Sequence, residues 1–122
     1  MSTVDTRSAV GLDKVFRAFA DLTRLRILYL LRDGERCVSD IMTILQVPQA
    51  RASHHLNYLL AAGLVEVRKQ GLWCHYRLSP ELSPIQENLI ASLELCSTSL
   101  PELAGDRQRA AEVRASGGCC PK

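Results

Sequence analysis

The stretch VSDIMTILQVPQARASHHLNYLLAAG, residues 38–63, decides the fold. Ile41, Ile44 and Leu45 recur at helical spacing from Val38 to Leu45, which predicts a short helix with one inward face. Val47-Pro48 ends it, because proline disfavours helical geometry in the residue before it. A second helix is expected from Gln49 to Ala62, with its stop at Gly63. At ~100° per residue, Ala52, Leu56, Leu59 and Leu60 fall on one side of that helix. The opposite side carries Ala50, Arg51, His54, Asn57 and Tyr58, with Ser53 at its margin. Two helices joined by a tight turn make a helix-turn-helix, whose second helix enters the DNA major groove.

Upstream, Leu12, Val15, Phe16 and Phe19 place a helix over residues 11–20, behind a polar arm over residues 1–10. Asp21 is a natural N-cap for another helix carrying Leu22, Leu25, Leu28 and Leu31, which Asp33-Gly34 ends. Downstream, Leu64–Lys69 and Leu72–Leu78 alternate as two strands joined at Gln70-Gly71. A fifth helix is expected from Ile85 to Cys96. Ser99, Pro101 and Glu102 resemble a capping box that opens a further helix in the tail, and Gly117-Gly118 stops it. The expected fold is mainly α with a small β-hairpin: a winged helix-turn-helix in the order α-α-α-α-β-β-α. The expected units are the arm (1–10), the winged domain with its dimerisation helix (11–98) and the tail (99–122).

A chain of 122 residues makes one domain with a modest core, so a dimer is the natural prior. Aromatic residues are only 5% of the chain, which argues against an all-β sandwich. The net charge of +2 permits nucleic-acid binding without demanding it, so a basic surface must be local. No apolar run reaches the ~20 residues that span a bilayer, and residues 1–10 lack a signal peptide's apolar core. A cytoplasmic protein with no membrane partner is expected, its five cysteines acting as free thiols, metal ligands or redox sensors.

The candidate DNA-reading residues are Gln49, Ala50, Arg51, Ser53, His54 and Asn57 on the fourth helix. Small residues allow close approach, and short polar or basic ones reach base edges. Lys69 and Gln70, with Arg68 and Trp73, surround the hairpin tip and suit the phosphate backbone or the minor groove. Periodicity alone is equally compatible with a solvated amphipathic helix and ordinary surface cations.

Three blocks in order carry a family resemblance. Residues 20–28, ADLTRLRIL, are similar to the "ADPTRLRIL" that opens the ArsR/SmtB family, with Leu22 in the proline's place. Residues 53–59, SHHLNYL, followed by Ala62-Gly63-Leu64-Val65, resemble that family's "S-x-HL-x-x-L" and "AGLV". Gly71-Leu72-Trp73 through Tyr76-Arg77-Leu78 resembles its wing motif "G-R-W-x-x-Y-x-L", with Leu72 replacing an arginine. The blocks cover residues 20–78. The resemblance implies a homodimeric repressor that binds double-stranded operator DNA and releases it on taking up a metal or metalloid. It also aligns His55 with the family's recognition-helix histidine, as a structural group or a phosphate contact.

The family's sensing sites transfer only in part. Its "C-V-C" at the third helix meets Cys37-Val38-Ser39 here, so one thiol is missing. Its zinc site needs Asp and His on the fifth helix, which has neither. The remaining candidates are Cys96, Cys119 and Cys120, three soft donors suited to trivalent arsenic or antimony, and also to cadmium or lead. Set against this, Cys37 reads as a small core residue, Cys74 as a strand filler and Cys96 as a helix-face hydrophobe. If residues 102–115 are helical, that helix spans roughly 20 Å and separates Cys96 from the terminal pair. The expected function is transcriptional repression of a metal(loid)-resistance operon, with no organic cofactor and no catalytic constellation. A thiol redox-sensing repressor and a non-enzymatic metal-binding protein are the alternatives.

Overall fold

The computed structural model describes residues 6–117, with side chains from residue 11 onward. The elements are α1 (Thr6–Ala18), α2 (Leu22–Leu31), β1 (Arg36–Cys37), α3 (Val38–Leu45), α4 (Gln49–Ala61), β2 (Val65–Gln70), β3 (Trp73–Leu78), α5 (Pro84–Ala91), α6 (Leu93–Cys96) and α7 (Pro101–Ala115). The winged helix-turn-helix order is present. Among the described residues, no helix is long and apolar enough to cross a membrane.

The core forms where the apolar stripes of α2, α3 and α4 meet. Ile27, Leu28, Ile41, Ile44, Ala52, Leu56 and Leu59 are fully buried there, with Leu64 closing the end of α4. Local signals set the boundaries. Asp21 caps α2 by accepting from the Arg24 N–H at 3.0 Å. Between α3 and α4, the turn residue Gln46 takes the left-handed conformation, φ 58°, which any residue with a Cβ resists. Gly71 has φ +60°, the positive value that the first position of a two-residue hairpin turn needs.

Four details depart from the sequence reading. First, α1 begins at Thr6 rather than at residue 11. Second, the sheet has three strands in the order β1-β3-β2, not two. Arg36 and Cys37 pair antiparallel with Tyr76 and His75, and a two-residue strand shows no alternation for a sequence to reveal. Third, the expected fifth helix is broken into α5 and α6 at Ser92, whose hydroxyl donates to the Leu89 carbonyl at 2.6 Å; such back-bonding bends helices. Fourth, Ser99 caps nothing, since α7 starts after Leu100 without a side-chain cap. The capping box is at α5 instead, between Ser83 and Gln86.

The helix α7 packs on α2 and α3. Its Asp106 is 1% exposed and takes both Nε and Nη2 of Arg26, each at 2.8 Å, along with Arg109 Nη2 at 2.8 Å. Arg26 also donates to the Leu45 carbonyl, and Arg109 to that of Ile44. The last-turn carbonyls of α3 lack partners within their own helix. Arginines from two other helices therefore satisfy them.

Candidate nucleic-acid interface

On α4, Gln49, Ala50, Arg51, His54 and Asn57 are exposed and Ser53 is half-buried, while Ala52, Leu56 and Leu59 point into the core. The face expected from periodicity is therefore the solvent face. Pro48 occupies the N-cap of α4 and makes no side-chain cap. The first N–H groups of α4 thus lack a side-chain cap at an end that favours anions. Arg51 makes no ion pair among the described residues.

What aims this helix is Arg24, a residue that sequence reasoning passed over. Its guanidinium is buried and donates to the carbonyls of Ala18 at 3.0 Å and Arg17 at 2.9 Å. It also reaches His55 Nδ1 at 3.2 Å and lies 4.0 Å above the Tyr58 ring. A guanidinium can only donate, so His55 Nδ1 accepts and the ring proton sits on Nε2. Burial holds the His55 pKa below its ordinary value, against the opposing pull of Asp21 at 3.8 Å. His55 is accordingly a neutral positioning group, while its neighbour His54 is the exposed one of the pair. The signal for Arg24 was present in ADLTRLRIL, but an arginine on a capped helix reads as surface charge.

The wing sorts its cations. Arg68 is held by Glu35 at 2.6 Å and also donates to Gln70 Oε1 at 3.2 Å. Arg77 pairs with Glu66 across the strands. Lys69 is exposed and makes no ion pair among the described residues, which leaves its charge available to a phosphate. Gln70 is exposed beside it, with one oxygen engaged by Arg68. The structure thus brings the α4 candidates onto one surface and sets Lys69 and Gln70 near the tip of the hairpin.

Comparison with known proteins bears on this arrangement. Residues 21–67 match the model of the bacterial regulatory protein arsR family. The chain is 37% identical over 95 residues to an arsenical resistance operon repressor of Bacillus subtilis, covering 77% of this chain and 87% of that protein. This chain belongs to the arsR family.

An arsenical resistance operon repressor of Escherichia coli is 49% identical over 70 residues, 57% of this chain and 60% of that protein. A cadmium resistance regulatory protein homolog of Staphylococcus aureus is 44% identical over 69 residues, 56% of this chain and 57% of that protein. With these two relatives, the arsR-family chain shares somewhat more than half their length. Among solved structures, the homodimeric winged helix-turn-helix DNA-binding domain from Mycobacterium bovis superposes with a TM-score of 0.65 at 31% identity, over 80% of this chain and 89% of that one.

The cysteines of this arsR-family chain are dispersed. Cys96, at the end of α6, and Cys74, on β3, are half-buried free thiols. Against the expectation of reduced thiols throughout, Cys37 is disulfide-bonded, and it is 2% exposed. Cys119 and Cys120 lie outside the described residues. Among the described residues, no group of three His, Cys, Asp or Glu side chains could hold a metal ion.

Proposed function

We propose that this chain is a transcriptional repressor that binds operator DNA as a homodimer and is released by a thiophilic metal or metalloid. The observation that carries the DNA half is the exposed face of α4, with Arg51, His54 and Asn57 on a helix whose Ala52, Leu56 and Leu59 are fully buried on the opposite side. The reading residues are Gln49, Ala50, Arg51, Ser53, His54 and Asn57, and Lys69 and Gln70 steady the wing on the backbone. Dimer formation is supported by apolar side chains left uncovered in the single chain: Leu12 and Phe16 on α1 are 40% and 50% exposed, and Ile85 on α5 is 37% exposed. Such a pairing would carry two recognition helices to successive major grooves. The chemistry described involves binding and no catalysis.

The inducer reading rests on the relatives' names and on donor chemistry. Two are arsenical resistance repressors and one is a cadmium resistance regulator. A donor set of sulfur without histidine suits trivalent arsenic or antimony, and cadmium or lead as well, and the two arsenical relatives favour the former reading. The sequence-derived set is Cys96, Cys119 and Cys120. A gel-shift titration of the reduced protein on DNA from upstream of its own gene tests both halves. We expect a saturable complex that arsenite dissolves and magnesium does not. A protein that fails to shift this DNA, or a complex indifferent to arsenite, antimonite and cadmium, overturns the corresponding half.

A further inference from the structure

The tip of the wing presents a side chain that the fold itself does not use. The strands β2 and β3 are paired along all six residues of each, out to Gln70 opposite Trp73. Gly71 and Leu72 make the two-residue turn between them. Gly71 has φ +60° while Leu72 keeps a negative φ, the pattern of a type II′ turn. The second position of such a turn favours small polar residues. Leucine gains no contact there, for Leu72 is 100% exposed. Every other exposed large apolar side chain among the described residues is partly packed, the most open being Leu95 at 76%. A local rule broken with no return in folding points to a function.

Single apolar side chains are ordinary on a protein surface, so the surroundings decide. Lys69 is exposed and makes no ion pair among the described residues, on a hairpin whose Arg68 and Arg77 are held by Glu35 and Glu66. Gln70 has a fixed polarity. The Arg68 guanidinium can only donate, so it holds the Gln70 amide by its oxygen, at 3.2 Å. The amide nitrogen makes no hydrogen bond among the described residues, which leaves two N–H donors unused.

An apolar side chain, a cation and unused donors at one tip match the minor groove of a duplex. There A·T pairs show only acceptors, whereas a G·C pair adds a guanine N–H donor that would oppose those of Gln70. The groove is ~6 Å wide. Two strands ~4.8 Å apart, with their side chains, exceed that width, so a tip side chain enters and the ladder stays outside. A cation at the tip would be drawn to the narrow, strongly negative groove of an A-tract; leucine has no charge for that field. An apolar wedge instead works where bases unstack at least cost, at pyrimidine–purine steps, and among these TA alone contains no G·C pair.

We propose that Leu72 is an apolar wedge that enters the minor groove at a TA step beside the α4 contacts and opens that step. Gln70 donates to the adenine N3 and thymine O2 acceptors, and Lys69 meets a flanking phosphate. This rests on the DNA-binding reading above and adds a sequence preference expressed through deformability, with a bent duplex as its consequence. The ladder behind the tip is braced for such a push, since β1 pairs with β3 and Glu35 holds Arg68 at 2.6 Å.

The test uses the full chain and duplexes from upstream of its own gene. Each adenine of the protected region is replaced in turn by 2-aminopurine, whose emission rises when it unstacks. We expect a rise at TA steps flanking the α4 contacts with wild-type protein and none with Leu72→Ala. Leu72→Ala should bind ~10-fold more weakly, the order of effect of a leucine side chain left unburied. End-labelled DNA should also bend less with this variant. Changing that TA to AA or GC should weaken wild-type binding and leave Leu72→Ala unaffected, and Leu72→Arg should prefer AA. Leu72 packs against nothing, so these variants keep the fold, which thermal melts check. An emission rise that survives in Leu72→Ala, or an affinity for the TA duplex equal to wild type, overturns the wedge and leaves the repressor reading intact. A wild-type protein that shifts none of these duplexes overturns both. A Leu72→Ala chain whose oligomeric state differs in sedimentation assigns Leu72 to a contact between copies, which also overturns the wedge.

Discussion

The helices α4 and α7 are similar in length, thirteen and fifteen residues, and both carry arginine on a polar face, but they use that face in opposite ways. The polar face of α4 is directed to solvent, with Arg51, His54 and Asn57 exposed. That of α7 is turned inward at Asp106 and Arg109, which lock onto Arg26 and the end of α3. Arg107 closes the contact along α2, pairing with Glu94 at 3.5 Å and lying 5.1 Å from the centre of the Tyr29 ring. Polar residues at helical spacing therefore say little by themselves about role. What separates a reading surface from a structural clamp is whether the chain already supplies the partners. Among the described residues it does not on α4, and that unmet capacity is what the proposed operator would fill.

The comparison is most sharply tested at Asp106. Asp106→Ala leaves Arg26 and Arg109 without their carboxylate, and removal of one partner of a buried pair costs about 3–5 kcal/mol. Chemical denaturation should show a loss of that size, and a loss under 1 kcal/mol would mean that the clamp is ornamental. Next in size is the double variant His54→Ala/Asn57→Ala. It should lose about 1–3 kcal/mol of specific DNA binding per base contact. Its unfolding free energy should stay within about 0.5 kcal/mol of wild type, as for surface positions generally. An unfolding loss as large as that of Asp106→Ala would erase the distinction between the two helices.

Lys69→Ala is a smaller perturbation. It should weaken binding to specific and random DNA alike and reduce the slope of log K against log salt by ~0.9 per protomer, hence ~1.8 for a dimer. A change confined to the operator would make Lys69 a base reader instead. The smallest effect concerns His55. Its folded pKa is depressed below the ordinary 6.5, chiefly by burial. The unfolded chain therefore binds the proton more readily. The stability this contributes is present above pH 6.5 and is lost as pH falls through the lower folded value. His55→Gln should flatten the pH dependence of unfolding in that window. An unchanged profile would show that another group sets it.

What could be read in advance follows from the range of each signal. The helices α2, α3 and α4 and the hairpin announce themselves through spacing, a cap at Asp21 and stops at Pro48 and Gly63, all local features. The exposed set on α4 follows from the same periodicity. The clamp does not, because Arg26 and Asp106 are eighty residues apart and each alone resembles a surface charge. Arg24 is hidden for a similar reason: its partners Ala18, Arg17, His55 and Tyr58 come together only when α1, α2 and α4 pack. The strand β1 is too short to show a pattern, and its pairing with β3 is what places His75 opposite Cys37.

The wing carries one more consequence. Trp73 is the chain's sole tryptophan, half-buried at the first position of β3 and next to Leu72, which is 100% exposed at the tip. Its indole emission therefore arises at one location, the base of the hairpin turn. The protein thus contains its own optical reporter, selectively excited at the red edge of the protein band and sensitive to the wetting of that one ring. Docking of the wing can be followed in real time without an attached dye.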